Sequence, residues 1–289
     1  MRLTTKLAAH ALRSVTVIPT PAALRGLGPA TPEPTEVTAP TRHGDVRVLI
    51  YRPDGVANPP VHLNVHGGAF IMRRPEQDDF ICKRVAADLG AVVVSPDYDT
   101  APDVAFPVAE HQCADVAQWV LDSAAEHGWD ASRLSVGGFS AGAKLAINVV
   151  QQARGRFPVA ALAAVFPVVD VTPGPHDRTS PKRVPVIGPW LIKLVNSTYF
   201  ADEAARTDPL ASPILDDHLA EFPPTMVSTG SLDSLAVDGH RLALALTAAG
   251  VPVTHHVFRD SDHGYTHKPP LDTAGRALTE LVDFLRAHL

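Results

Sequence analysis

The 289-residue chain has only two cysteines, no excess of basic charge and no long apolar run, and each shortage removes a class of function. Cys82 and Cys113 both fall in segments of helical periodicity and lack metal-type spacing. Two buried free thiols are expected, rather than a disulfide or a redox centre. A formal net charge of −6 provides no cationic field for nucleic acid, and no basic run interleaved with aromatics occurs, so nucleic acid is not an expected partner. No stretch reaches the roughly 20 apolar residues of a membrane span. His10 and Arg13 interrupt the first residues before a signal-peptide core forms, so a cytoplasmic protein without stable membrane insertion is expected. No internal repeat or coenzyme fingerprint is visible. His255 and His256 are neighbours on an extended run and would point to opposite faces, so neither a metal nor another cofactor is expected.

What is present suffices for one large α/β domain, with 45% of residues hydrophobic. Residues 91–95 and 160–165 are continuous apolar runs, as strands buried on both faces should be. Residues 61–65, 134–136, 225–229 and 253–257 read as further strands. Helical patterns over 80–89, 107–127, 235–249 and 271–289 alternate with them, the last with Leu278, Leu281, Val282 and Leu285 on one face. This alternation predicts a mostly parallel central sheet flanked by helices. Two stretches break it. Residues 1–44 hold an amphipathic start and then Pro29, Pro32, Pro34 and Pro40, and residues 171–210 interrupt the core between one strand and the next. The expected division is an N-terminal cap segment 1–44, a first core part 45–170, a cap insertion 171–210 and a second core part 211–289.

The chemistry gathers at a few short motifs. Gly138-Phe139-Ser140-Ala141-Gly142 fits G-x-S-x-G, in which a tight strand-to-helix turn projects a serine hydroxyl over the sheet edge. A short strand precedes it, and Ala143, Leu145, Ala146, Val149 and Val150 follow on one helical face. An ordinary Gly-Ser turn with the serine capping the helix would use the same residues. After the strand 61–65 comes His66-Gly67-Gly68-Ala69-Phe70, a small-residue loop whose amides, with that of Ala141, would suit an oxyanion hole. A plain glycine turn is its alternative. A serine needs a base, and His263 in Ser261-Asp262-His263-Gly264-Tyr265 is the best placed of 14 histidines. Asp233, soon after the strand 225–229, is the preferred carboxylate. Asp238 falls in the following helix, Asp260 and Asp262 sit too close to His263 for more than a flanking role, and His267 reads as a solvated loop residue.

The order Ser140, Asp233, His263 is the one α/β-hydrolases use. With Arg52-Pro53, Asp97-Tyr98, Ala101-Pro102, Phe106-Pro107, Asp208-Pro209, Ser212-Pro213-Ile214, Phe222-Pro223-Pro224 and His263-Gly264-Tyr265, the chain from about Asp45 onward resembles the bacterial hormone-sensitive-lipase-like family of α/β-hydrolase esterases. The resemblance implies an α/β-hydrolase fold with a helical cap made from the N-terminal segment and the insertion. It implies Ser140 as nucleophile, Asp233 as acid, His263 as base, and the amides of Gly67, Gly68, Ala69 and Ala141 as oxyanion donors. The expected activity is serine carboxylesterase action on a small-molecule ester with a short acyl chain, and the resemblance raises a homodimer through the edge strand near Val253.

Departures from that pattern are Ala69 for a third glycine, Phe139 for an acidic residue, Ala143 and Lys144 for glycine and asparagine, and Ser234 for proline. None removes a catalytic side chain, but the Ala69 methyl and the Phe139 ring are expected to narrow the substrate space. Trp190, Leu191, Leu194, Tyr199 and Phe200 in the insertion either line an acyl or alcohol pocket or pack the lid on itself. An amidase or N-acyl deacetylase would share the triad. A non-hydrolytic receptor, such as the gibberellin receptor that resembles the same family, lacks the working histidine that is kept here. Because the base must be neutral to act, activity should fall as pH drops through roughly 6 to 7.

Overall fold

Apolar runs flanked by helices on both sides make the centre of the molecule. The computed structural model describes residues 3–15, 21–29 and 32–289. Its sheet has eight strands: β1 (Thr35–Ala39), β2 (Val46–Tyr51), β3 (Pro60–Val65), β4 (Val92–Pro96), β5 (Asp130–Phe139), β6 (Ala161–Val165), β7 (Thr225–Gly230) and β8 (Val253–Phe258), in the order β1-β2-β4-β3-β5-β6-β7-β8. β2 runs antiparallel to β1 and β4, and every other pairing is parallel. The helices are α1 (Leu3–Val15), α2 (Ala22–Arg25), α3 (Asp79–Leu89), α4 (Val108–Asp122), α5 (Ala124–His127), α6 (Ala141–Ala153), α7 (Pro189–Thr198), α8 (Ala236–Ala248) and α9 (Leu271–Arg286).

Alternation along each strand divides the core in two. On β6, Leu162 and Ala164 join residues of α4, α6 and α8 on one face, while Ala161, Ala163 and Val165 join α3 and α9 on the other. Both faces are covered, which is why β3, β4, β6 and β7 are buried at every position. Among the described residues no helix is long and apolar enough to cross a membrane.

Two boundaries differ from the sequence expectation. Thr35–Ala39, grouped with the N-terminal cap segment 1–44, pairs with β2 as an edge strand, Val37 opposite Val48. The prolines flank the strand rather than interrupt it, and an edge tolerates such neighbours. Residues 1–2, 16–20 and 30–31 of that segment lie outside the described residues. The helix expected over 107–127 is two helices parted at Ser123, whose hydroxyl donates to the Trp119 carbonyl at 2.6 Å.

A helical cap crosses the C-terminal ends of the parallel strands. α7, inserted between β6 and β7, packs on α1. Arg13 pins α1 to the core, with Nε on the Ile71 carbonyl (3.1 Å), Nη2 on Thr100 Oγ1 (3.0 Å) and Nη1 on Asp103 (2.6 Å).

Candidate active site

Between the last residue of β5 and the first of α6 stands a single residue, Ser140, with φ 56° and ψ −118°. Non-glycine residues rarely adopt this conformation, which costs about 1–3 kcal/mol. It is held by the Ser140 N–H on the Val165 carbonyl (2.9 Å) and by its own carbonyl, which accepts from the Lys144 N–H (3.2 Å). The flanking glycines are steric necessities. A Cβ on Gly142 would lie 2.0 Å from the Val65 carbonyl oxygen, and one on Gly138 would lie 2.5 Å from that same atom. The turn is therefore pressed against the end of β3, where the loop 66–70 begins.

His263 comes from the loop after β8 and Asp233 from the turn between β7 and α8. His263 Nε2 is 2.7 Å from Ser140 Oγ, and its Nδ1 is 2.7 Å from Asp233 Oδ2. Asp233 Oδ1 accepts the Leu235 N–H at 2.9 Å, so both carboxylate oxygens are engaged. Asp233 and His263 are 3% and 6% exposed, whereas Ser140 faces open space. The edge of Phe166 meets the His263 ring at 4.8 Å.

Asp262 has a wider role than a neighbour of His263. Its Oδ1 accepts the His263 N–H (2.7 Å), and its Oδ2 accepts from Lys182 Nζ (2.8 Å) and the Val186 N–H (3.2 Å). Burial alone would raise this carboxyl, but the Lys182 ammonium and the two N–H groups outweigh it and hold the carboxyl below its ordinary range. Asp262 thus ties the His263 loop to the cap insertion. His267 is not a solvated loop residue. It lines the cavity over Ser140, with Nε2 2.8 Å from Asp78 Oδ1 and its ring edge on Phe139 at 5.2 Å. Asp78 is fully buried and also accepts from Asn64 Nδ2 at 2.9 Å. A buried carboxylate demands such partners, and that demand draws His267 inward. Asp238 lies on α8, as expected, where it pairs with Arg178.

The loop after β3 carries positive φ at three successive residues, Gly68 (133°), Ala69 (54°) and Phe70 (56°). Gln77 Nε2 donates to the Gly67 carbonyl at 2.9 Å, and His66 Nδ1 lies 2.7 Å from the same oxygen. Burial pushes the His66 imidazole down, so it acts as a neutral donor there. A trans peptide sets N–H opposite C=O, so this hold turns the Gly68 N–H the other way. A Cβ on Gly67 would lie 3.6 Å from Ser140 Cβ, which places this residue directly against the serine. Among the described residues, no acceptor takes the N–H of Gly68, Ala69 or Ala141.

Two cavities meet at Ser140. The larger, about 600 Å³, is walled by Phe139, Phe166, His263, His267, Trp190 and Leu191 among others. The smaller, about 60 Å³, is bordered by Ala69, Ala141, Val168, Leu191, Ile192 and Val195 among others, and His263 does not reach it. Ala69 borders both spaces and Phe139 the larger, where the sequence anticipated narrowing. The cap residues divide: Trp190, 60% exposed, and Leu191 face the cavity, whereas Tyr199 and Phe200 are buried against Phe70 at 4.9 and 5.2 Å. Lys144 does not reach the site. It is buried against Glu110, with the rings of Phe70, Phe106 and Phe200 5.2–5.6 Å from its ammonium.

The comparisons with known proteins agree with this architecture. The family model described as alpha/beta hydrolase fold matches residues 62–267. The chain is 31% identical over 249 residues to the esterase LipI of Mycobacterium tuberculosis, covering 77% of this chain and 76% of that protein. It is 27% identical over 263 residues to an ethyl acetate hydrolase of Pseudomonas putida, covering 88% and 83%. Among solved structures it is similar to an esterase of Pyrobaculum calidifontis (TM-score 0.88, 28% identity, 98% and 92% covered). It is also similar to EstE1, a carboxylesterase from a metagenomic library (TM-score 0.86, 28% identity, 100% and 99% covered). The chain belongs to the α/β-hydrolase fold family and is a carboxylic ester hydrolase within it.

Proposed function

We propose that this protein hydrolyses small esters of short acyl chains, with Ser140 as nucleophile, His263 as general base and Asp233 as the carboxylate that orients it. The supporting observation is the unbroken chain of two 2.7 Å contacts from Ser140 Oγ through His263 to Asp233, at the point where both cavities meet. His263 takes the Ser140 proton as Oγ attacks the ester carbonyl, and Asp233 stabilises the imidazolium. The amides of Gly67, Gly68, Ala69 and Ala141 hold the tetrahedral oxyanion. His263 then returns the proton to the departing alcohol, and water repeats the sequence on the acyl-enzyme.

The histidine that protonates the leaving oxygen must adjoin it. His263 borders only the larger cavity, which assigns that space to the alcohol half and the smaller one to the acyl half. A volume of about 60 Å³ takes only a few heavy atoms. The relatives named as esterase, carboxylesterase and ethyl acetate hydrolase support a small ester as substrate. The motifs from His66 to His263, together with the cap, favour the hormone-sensitive-lipase-like branch of the family. We assign 171–210 and α1 to the cap, the chain from β1 to residue 170 and 211–289 to the core, a cytoplasmic setting, and a homodimer through the outer edge of β8, which no strand among the described residues covers.

A panel of aryl esters of increasing acyl length, assayed with wild type and Ser140→Ala, tests the reading. Turnover should be greatest at short acyl chains and lost in Ser140→Ala. Faster turnover of a matched amide than of the ester would favour an amidase instead.

A further inference from the structure

The smaller cavity is walled mostly by aliphatic side chains, yet two polar ones border it that hydrolysis does not use. Arg178, from the cap insertion, has a side chain only 5% exposed. Its Nε and Nη2 donate to Asp238 at 3.1 and 3.0 Å, and Nη2 also donates to the Asp170 carbonyl. Nη1 has no acceptor among the described residues. Asn196, on α7 with Leu191, Ile192 and Val195, is 9% exposed and borders both this cavity and an open groove lined by Lys193, Ser197 and Arg206. Its main-chain carbonyl accepts from Arg206, but its side-chain amide has no partner among the described residues. Neither group is sealed off, so each keeps some accessible surface, and an acceptor oxygen within the cavity would complete both donors.

The charge balance says which acceptor. Asp238 already neutralises Arg178, and its Oδ2 also accepts the Val169 N–H at 3.0 Å. A carboxylate entering this space would meet a guanidinium whose charge Asp238 already balances, with no other cationic side chain among the described residues on the cavity wall to match it. A neutral oxygen accepts from Arg178 Nη1 and Asn196 Nδ2 and adds no charge.

We propose that the acyl groups this enzyme prefers carry a neutral oxygen beyond the ester carbonyl, as in oxoacyl or hydroxyacyl esters. This rests on the assignment of the acyl half to the smaller cavity. Arg178 and Asn196 are then specificity-determining residues, and a plain alkanoyl chain of the same shape leaves both without a partner.

The test compares 4-nitrophenyl 4-oxopentanoate with the near-isosteric 4-methylpentanoate, each kcat/KM divided by the rate of hydroxide-catalysed hydrolysis, with the butanoate ester as a reporter of basal activity. For wild type the oxo ester should lead by about tenfold, the size of one or two net hydrogen bonds. Asn196→Leu, which breaks no protein hydrogen bond of that side chain, should collapse the ratio toward one. Arg178→Lys, which keeps a cation on Asp238 but removes the planar donor, should also lower it. A wild-type ratio of one, or a ratio unchanged in both variants, overturns the inference while Ser140-dependent butanoate turnover leaves the esterase reading standing. A succinate monoester that outpaces the oxo ester overturns the requirement for a neutral oxygen. Absence of butanoate turnover in wild type would overturn both readings together.

Discussion

Ser140 occupies a backbone conformation that only its surroundings sustain. Gly142 permits it, since any Cβ there would fall 2.0 Å from the Val65 oxygen. Gly142→Ala should therefore destabilise the fold by about 3 kcal/mol and lower turnover, read from urea unfolding and steady-state rates. Asp233→Asn should keep the fold but leave the His263 tautomer without its carboxylate, and kcat should fall by about 10³–10⁴-fold. At this scale the meeting of Ser140, Asp233 and His263 was legible, because an elbow motif, a strand end and a late loop histidine each have local signals and a fixed order. His267 was not. Its partner Asp78 is 189 residues away, and nothing beside either residue announces the pairing. Lys182 was invisible for the same reason, since only folding carries it to Asp262.

Among the elements, the central strands bear on acid stability. His62 on β3 is buried against Ser135 on β5 at 2.9 Å, and burial pushes its imidazole down to about 3. The unfolded chain titrates near 6.5, so between those values it binds more protons than the native state, and stability must fall as pH falls. Chemical denaturation at pH 6.5 and 4.5 should differ by about 2–3 kcal/mol in wild type from this group, and His62→Gln should flatten that slope. Asp262 acts in the same direction at lower pH. Its folded value is depressed, so the stability it contributes is present above the ordinary carboxylate range and is lost as pH falls through the folded value. Interior strands were readable because burial on both faces demands unbroken apolar runs. β1 was not, because an edge strand among prolines lacks that signature, and the break at Ser123 turns on a single hydroxyl.

For the whole molecule, alternation of strands and helices sufficed to anticipate a mostly parallel, doubly covered sheet, since that pattern has few other ways to bury its apolar faces. The cap was recognisable only as an interruption of it. How α1 docks depends on Arg13 reaching carbonyls near residues 71 and 100, a tertiary contact without a sequence period. At this scale too belongs the proposed dimer. Val257 on β8 is 46% exposed on an edge strand, and Val257→Lys should yield a monomer by light scattering while ester turnover persists.

If one hydroxyl carries the chemistry, covalent labelling reads it directly. After reaction with a fluorophosphonate probe, peptide mapping by mass spectrometry should find a single adduct, on Ser140, with turnover of a 4-nitrophenyl ester lost in parallel, and no adduct on Ser140→Ala. An adduct on another residue, or full ester hydrolysis by Ser140→Ala, would contradict the account.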